Sequence, residues 1–230
     1  MPRFFAEITR FPLAIIAGKG AVRHITGPLR KRSGDKIAIR VGNRGFQAKI
    51  SSIGSEEILL DIIDEEALQD RSTAHVHLAM CLFDLKDLDD AIRCTTELGV
   101  SGIYPVISSR SNIRSITEAR FARWQSIILE AVKQCDRMTT PVIHRPVSLD
   151  TFMGEASSLW DTRLVAHKEA QHSILEFTGS DCCILIGPEG GLSSEELRMI
   201  TRGGFIPVRL GNTILRSTTA AMCAVSVLGL

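Results

Sequence analysis

Short apolar runs closed by glycine or proline punctuate the last third of the chain. Cys182-Cys-Ile-Leu-Ile186 leads into Gly187-Pro188-Glu189-Gly190-Gly191 and then Leu192-Ser-Ser-Glu-Glu-Leu197. Phe205-Ile-Pro-Val-Arg-Leu210 leads into Gly211-Asn-Thr-Ile-Leu-Arg216-Ser-Thr-Thr219 and an apolar tail, Ala220–Leu230. The same unit, apolar run, glycine loop and helix, therefore occurs twice. Runs of this length read as buried strands, and their alternation with helices predicts a parallel sheet of the α/β class. Upstream the alternation continues. Ala74–Leu82 and residues 100–105 read as strands, with a helix over Leu88–Leu98 stopped by Gly99 between them. Thr117 and residues 120–133 form an amphipathic helix with Phe121, Trp124, Ile128 and Val132 on one stripe. Sharing that stripe makes Trp124 a core residue rather than a stacking platform. Leu164–His167 is one more short strand.

Residues 3–63 follow a different rhythm. Ile37–Val41, Phe46–Ile53 and Ile58–Ile63 are short strands separated by turns at 42–45 and 54–57, which predicts an antiparallel module, a small barrel or curled sheet. The acidic, polar stretch Asp64–Ser72 reads as a linker, so domains are expected over 1–72 and 73–230. A chain of 230 residues, 44% of them hydrophobic, suffices for one or two cores.

Charge sharpens this division. The net charge is +1, yet residues 1–60 hold eleven Lys and Arg against four Asp and Glu, while the remainder holds sixteen against twenty-two. A basic front module on a mildly acidic body is the footprint of a phosphate backbone, or else a solvated basic face. Six cysteines without a CxxC pair, mostly in apolar segments, point to buried thiols in a reduced cytoplasmic protein. With no charged-then-apolar leader pattern and no apolar run near ~20 residues, neither export nor membrane insertion is expected. His75 and His77 lack a third ligand at useful spacing, so no metal is expected.

The glycine loops carry the candidate chemistry. Gly187, Gly190 and Gly191 allow positive φ and close approach of a ligand, Pro188 stiffens the turn, and Ser193 with Glu196 has capping-box spacing. Backbone N–H groups curved in this way suit a nucleobase edge or a carboxylate; a plain strand-to-helix turn remains the alternative. Arg216 opens the final helix, the wrong end for a cation to complement the dipole, which suggests that it faces an anion.

The two motifs together, Ile186-Gly-Pro-Glu-Gly-Gly-Leu-Ser-Ser-Glu-Glu-Leu197 and Leu210-Gly-x-x-Ile-Leu-Arg216-x-x-Thr219, resemble the C-terminal signature of the SPOUT-class RNA methyltransferases. Among these the chain is most similar to the ribosomal RNA small subunit methyltransferase E family, which methylates N3 of a uridine in 16S rRNA. Weaker likeness extends through Glu97-Leu-Gly-Val100 with Pro105, Trp124-Gln125, Gln134-Cys135 with Pro141, and Arg30 to Asp35. The resemblance implies a C-terminal α/β SPOUT domain with a trefoil knot in about residues 160–230, and an N-terminal PUA-like β-barrel that binds RNA. It further implies a homodimer, paired through the knotted domain with some support from the apolar tail, acting on the small ribosomal subunit. The cofactor would be S-adenosyl-L-methionine, held by Leu164, His167, Ile186, Gly187, Gly190, Gly191, Leu210, Gly211, Ile214, Leu215 and Thr219. Arg216 and Thr218 fall at the catalytic positions. Arg3, Arg23, Arg30, Lys31, Arg32 and Arg44 are candidate phosphate contacts, joined by Arg110 and Arg114 in the loop before the amphipathic helix. A Rossmann-type methyltransferase is disfavoured, because Gly18-Lys-Gly20 lacks a third glycine and leads into a basic segment with little helical character.

Several positions depart from the family pattern. Ser217-Thr218-Thr219 stands where Thr-Glu-Thr is usual, Cys94 and Lys133 replace a lysine and a glutamate, and Thr213 replaces an arginine. Without the carboxylate at 218, reduced turnover is expected, and a SPOUT enzyme with another RNA target or a catalytically impaired RNA-binding assembly module stands as the alternative.

Overall fold

The structure is a computed structural model that describes residues 3–42, 44–66, 74–135, 137 and 139–230. The chain forms two compact units, Met1–Asp70 with Lys133–Thr139, and Arg71–Val132 with Thr140–Leu230. The boundary expected near residue 72 lies outside the described residues. The first three residues of the expected linker, 64–66, are instead the end of a long strand.

In the first unit the elements are β1 (Arg3–Phe5), β2 (Glu7–Arg10), β3 (Leu13–Ala17), α1 (Lys19–Thr26), β4 (Lys36–Val41), β5 (Arg44–Ile53) and β6 (Glu57–Glu66). The strands pair in the order β1-β4-β5-β6-β3-β2. Register shifts in β5 against β6 and in β2 against β3 bend the sheet. Pairing is antiparallel except between β1 and β4, which run parallel, a long-range pairing that turn spacing does not reveal. Ile37, Ile39, Phe46, Ile50, Ile58 and Leu60 fill one face. The segment after Gly18 is helical, contrary to expectation. Its sequence offers only Val22 and Ile25 as an apolar pair, and burial of both in the core holds α1 where its polar composition gives no signal.

In the second unit the order is β7 (Val76–Cys81), α2 (Leu85–Glu97), β8 (Gly102–Ile107), α3 (Glu118–Cys135), β9 (Val142–Ile143), β10 (Val147–Ser148), α4 (Leu149–Leu159), β11 (Thr162–Ala166), β12 (His172–Ser173), β13 (Cys182–Ile186), α5 (Ser194–Arg202), β14 (Ile206–Arg209) and α6 (Ser217–Leu228). All strand pairs are parallel, in the order β10-β8-β7-β13-β11-β14-β12 with β9 beside β8. This is the parallel α/β sheet that the alternating runs predict. All five residues of β13 are buried, as a central strand covered on both faces requires.

The helices follow their sequence signals. Asp84 caps α2 by accepting from the Lys86 and Asp87 amides, and Gly99 turns the chain beyond it at φ 105°. Phe121, Trp124, Ile128 and Val132 of α3 are buried, and the Trp124 indole donates to Asp89, which also pairs with Arg120 and Arg123. Trp124 is thus a core residue. His77 packs against the rings of Tyr104 and Trp160, which gives it a structural setting. Burial pushes the thiols of Cys81 and Cys182 up to about 12, and none of the six cysteines forms a disulfide.

The apolar tail is used inside the chain. Ala220, Ala221, Ala224, Val225 and Leu228 are buried as α6 packs on α2, β7 and β13. The same tail leaves Met222, Cys223 and Val227 half-buried and Leu230 exposed. Among the described residues no helix is long and apolar enough to cross a membrane.

Candidate active site

In a parallel sheet the loops leaving the carboxyl ends of the strands gather on one side. Three such loops meet here, after β11, β13 and β14. The chain leaves β13 at Gly187, and the Gly191 amide closes a turn on the Pro188 carbonyl at 2.8 Å. Gly191 has φ 68°, so this glycine is required by backbone conformation. Gly187 is tightly packed: a Cβ there would lie 3.2 Å from Leu192 Cγ, so that side chain would have to shift by a few tenths of an ångström. Gly190 has neither constraint. The loop ends at Ser193, whose hydroxyl accepts from the Glu196 amide at 3.1 Å while Glu196 Oε2 accepts from the Ser193 amide at 2.8 Å. This is the capping box that the spacing predicts.

The loop after β14 runs from Leu210 to Arg216 and is tied to the first loop by the Ser217 hydroxyl, which donates to the Gly187 carbonyl at 3.0 Å. The chain leaving β11 is held by the His167 amide, which donates to the Val208 carbonyl at 3.0 Å. Between the three loops lies a cleft of about 450 Å³, within the size range of small-molecule sites.

Of the residues expected to hold a cofactor, His167, Ile186, Gly187, Gly190, Gly191, Leu210, Gly211, Ile214 and Leu215 line this cleft. Leu164 does not. It is wholly buried in β11, between Ile184 of β13 and Ile206 of β14, so its side chain belongs to the core. Thr219, exposed in the first turn of α6, is not in the lining either. The lining adds residues the sequence did not single out for this pocket: Arg110, Lys168, Leu192, Arg209, Thr213 and Ser217. Lys168 and Arg209 stand at or just beyond strand ends, the one signal that could have found them. Arg110, expected to meet RNA, donates to the Gly190 carbonyl at 2.7 Å and forms part of the wall.

The cleft joins an apolar floor of Ile186, Leu192, Leu210 and Leu215 to a charged rim of Arg110, Lys168, Arg209 and Glu189. Such a site suits a ligand with a flat apolar part and an anionic group. Arg216 is the N-cap residue of α6 and makes no side-chain capping bond. It is exposed and, among the described residues, its guanidinium has no hydrogen-bonding or ionic partner. The Thr218 hydroxyl points to the Asp87 carbonyl at 3.5 Å, the limit of a hydrogen bond. Neither Arg216 nor Thr218 belongs to the cleft lining.

Glu196 lies outside the cleft lining, just beyond the glycine loop, and is a buried charge, 9% exposed. Its Oε1 accepts from the Ser109 amide at 2.6 Å, in addition to the capping bond. Burial pushes its carboxyl upward, but the Ser109 and Ser193 donors outweigh this and hold it below the usual carboxylate range. A depressed carboxyl adds stability that is complete above its unfolded pKa, about 4.3 for Glu, and is lost as pH falls through the folded value. Protection of the Ser109 amide against hydrogen exchange is therefore expected to disappear only below about pH 4. Protection that persists unchanged at pH 2 would contradict this.

The other expected RNA contacts differ in availability. Arg114 donates to the carbonyls of Ser108 and Ser109, bracing its own loop. In the first unit Arg3 pairs with Glu66 and Arg44 with Glu65, and Lys31 donates to the Lys36 carbonyl. Arg23, Arg30 and Arg32 are exposed, with no side-chain partner among the described residues.

Comparison with known proteins agrees with this geometry. The RNA methyltransferase domain matches residues 70–229. The chain is 28% identical over 248 residues to ribosomal RNA small subunit methyltransferase E of Bacillus subtilis, covering 99% of this chain and 96% of that one. The protein of the same name from Rickettsia conorii is 27% identical over 219 residues, covering 92% and 87%. The crystal structure of ribosomal RNA small subunit methyltransferase E from Neisseria gonorrhoeae, bound to S-adenosyl methionine, matches with a TM-score of 0.80 at 26% identity, covering 98% and 95%. With nearly all of the second unit matched by one domain family and whole-length relatives sharing one name, the chain belongs to the RNA methyltransferase domain family, in the group of ribosomal RNA small subunit methyltransferase E.

Proposed function

We propose that this protein transfers the methyl group of S-adenosyl-L-methionine to N3 of a uridine in the 16S rRNA of the small ribosomal subunit. The observation that carries the reading is the cleft between the loops after β11, β13 and β14, locked by the Ser217–Gly187 bond. The residues present fit the cofactor. Gly211 lines the cleft, yet its φ is not positive and a Cβ there would meet no protein atom within 4 Å. The fold does not demand this glycine, which leaves an approaching ligand as the reason for it. Ile186, Leu210, Ile214 and Leu215 would hold the adenosine, with the cationic rim facing the carboxylate.

The cofactor supplies an electrophilic sulfonium methyl; the protein must supply orientation and a way to spread negative charge on the acceptor. Arg216, fixed at the mouth of α6 and unpaired, is the group for the second task, donating to O2 or O4 of the uridine as N3 loses its proton. A guanidinium offers only donors and so is not the base. The Thr218 hydroxyl is neutral near pH 7, so the proton leaves to solvent. Thr218→Glu is accordingly expected to raise kcat by about 10-fold, towards the low end of what a positioned base contributes; an unchanged kcat would remove position 218 from the chemistry.

The first unit reads as a PUA-like RNA-binding domain over 1–72, with Arg23, Arg30 and Arg32 as its available phosphate contacts. The second reads as a SPOUT domain over 73–230 with a trefoil knot in about 160–230, which the interleaved order β13-β11-β14 and the bond between the two loops support. A cytoplasmic homodimer completes the reading, with no metal involved. Labelled S-adenosylmethionine incubated with small-subunit particles tests it: one label on uridine N3 is expected, and label elsewhere or none at all overturns it. Thr218 favours one other reading, an RNA-binding assembly module that binds the cofactor without turnover.

A further inference from the structure

We infer that Glu196 is a positioning residue that fixes Arg110 in the wall of the cleft, where the guanidinium serves an anionic oxygen of the reacting partners. Glu196 lies in α5, eighty-seven positions from its partner Ser109 in the loop after β8. Its two carboxylate oxygens are divided, one on the amide of Ser193 at the end of the glycine loop and one on the amide of Ser109. The next residue, Arg110, reaches back to the Gly190 carbonyl at 2.7 Å. Two adjacent residues of one loop are thereby fastened to the middle of the glycine loop and to the helix that follows it. The fastened loop is braced from within: Ser108 and Ser111 join hydroxyls at 3.0 Å, and Arg114 grips the Ser108 and Ser109 carbonyls at 2.9 and 2.7 Å.

A capping box needs only one oxygen of its Glu. The second oxygen is spent on a remote amide, and a buried carboxylate is costly unless it is well donated to. Capping alone does not account for that arrangement; control of the Arg110 loop does. A guanidinium carries five N–H donors, and one Nη1 is committed to Gly190, so others remain to face the cleft that Arg110 lines. The shared chemistry of its partner is an oxyanion, either the carboxylate of the methyl donor or a phosphate of the acceptor RNA.

This inference rests on the proposed function, and its test separates the two. Glu196→Ala removes both carboxylate bonds, the one to the Ser109 amide included. Ser193→Ala removes the cap but leaves both bonds to Glu196. Glu196→Ala and Arg110→Ala are each expected to lower kcat/KM by about 10-fold, as loss of a charge-assisted hydrogen bond does, and the double variant no further. Ser193→Ala is expected to lower the melting temperature and leave kcat/KM within about 2-fold. A rise in KM for S-adenosylmethionine identifies the carboxylate, and a rise for the particle identifies the phosphate. Independently of any turnover, Glu196→Ala should speed amide exchange at Ser109 and through 187–191, whereas Ser193→Ala should speed it only at the start of α5. Additive losses in the double variant, or unchanged Ser109 exchange in Glu196→Ala, would overturn the inference. If the wild type transfers no methyl, the functional reading falls and the exchange pattern alone decides this one.

Discussion

Arg216→Ala is expected to lower kcat for methyl transfer by about 10²–10³-fold, the usual cost of deleting one donor to a developing oxyanion, while the affinity for S-adenosylmethionine stays within about 2-fold. The split follows from where the residue stands. It is outside the cleft lining, so the donor loses no contact. It caps α6 only in position, with no side-chain bond to lose, so the helix should be little affected and the stability change should stay within about 0.5 kcal/mol. What disappears is a permanent cation at the end of a helix whose first-turn amides also lack a side-chain cap. Arg216→Lys should recover only part of the rate, since a point charge cannot reproduce the planar fork. Isothermal titration with the cofactor and single-turnover transfer to small-subunit particles measure the two halves separately. A variant with weakened cofactor binding and intact kcat would assign Arg216 to the wrong substrate.

What could be read from the sequence and what could not divides along the range of the interactions. The Ser193–Glu196 cap, the Gly99 stop and the Phe121–Val132 stripe are local, spaced by three or four residues or set by one φ angle, and each is found where the spacing puts it. The parallel sheet follows from the alternation of runs. The remote partnerships leave no periodic trace: β1 against β4, Ser109 on Glu196, Ser217 on Gly187, Trp124 on Asp89. That is why Arg110 reads as an RNA contact in the sequence and as a wall of the cleft in the structure. Leu164 shows the complementary case. The family resemblance puts it beside the cofactor, but its side chain is wholly buried in β11, and only the last residue of the strand and those after it, Ala166, His167 and Lys168, reach the cleft. The helix α1 was hidden for another reason, since its stability comes from two buried side chains rather than from intrinsic propensity.

Gly211→Leu is expected to weaken S-adenosylmethionine binding by at least about 10²-fold, equivalent to roughly 2.7 kcal/mol, with a stability change below about 0.5 kcal/mol. The glycines of this protein make the distinction possible. Gly204 combines φ 85° with a Cβ position 2.6 Å from the Arg163 guanidinium, so a side chain there strains the fold itself. Gly191 is held at φ 68°, and a leucine there would distort the loop before any ligand arrived. Gly211 has no such constraint: its φ is ordinary and the space around a Cβ is open. A leucine side chain at this position takes its volume from the cleft that the residue lines, in competition with the cofactor. Thermal unfolding and cofactor titration on the same preparation therefore give opposite answers for Gly204→Leu and Gly211→Leu, the first losing stability and the second losing the ligand. If Gly211→Leu binds S-adenosylmethionine as tightly as the wild type, the cofactor does not lie against this loop and the assignment of the cleft fails with it.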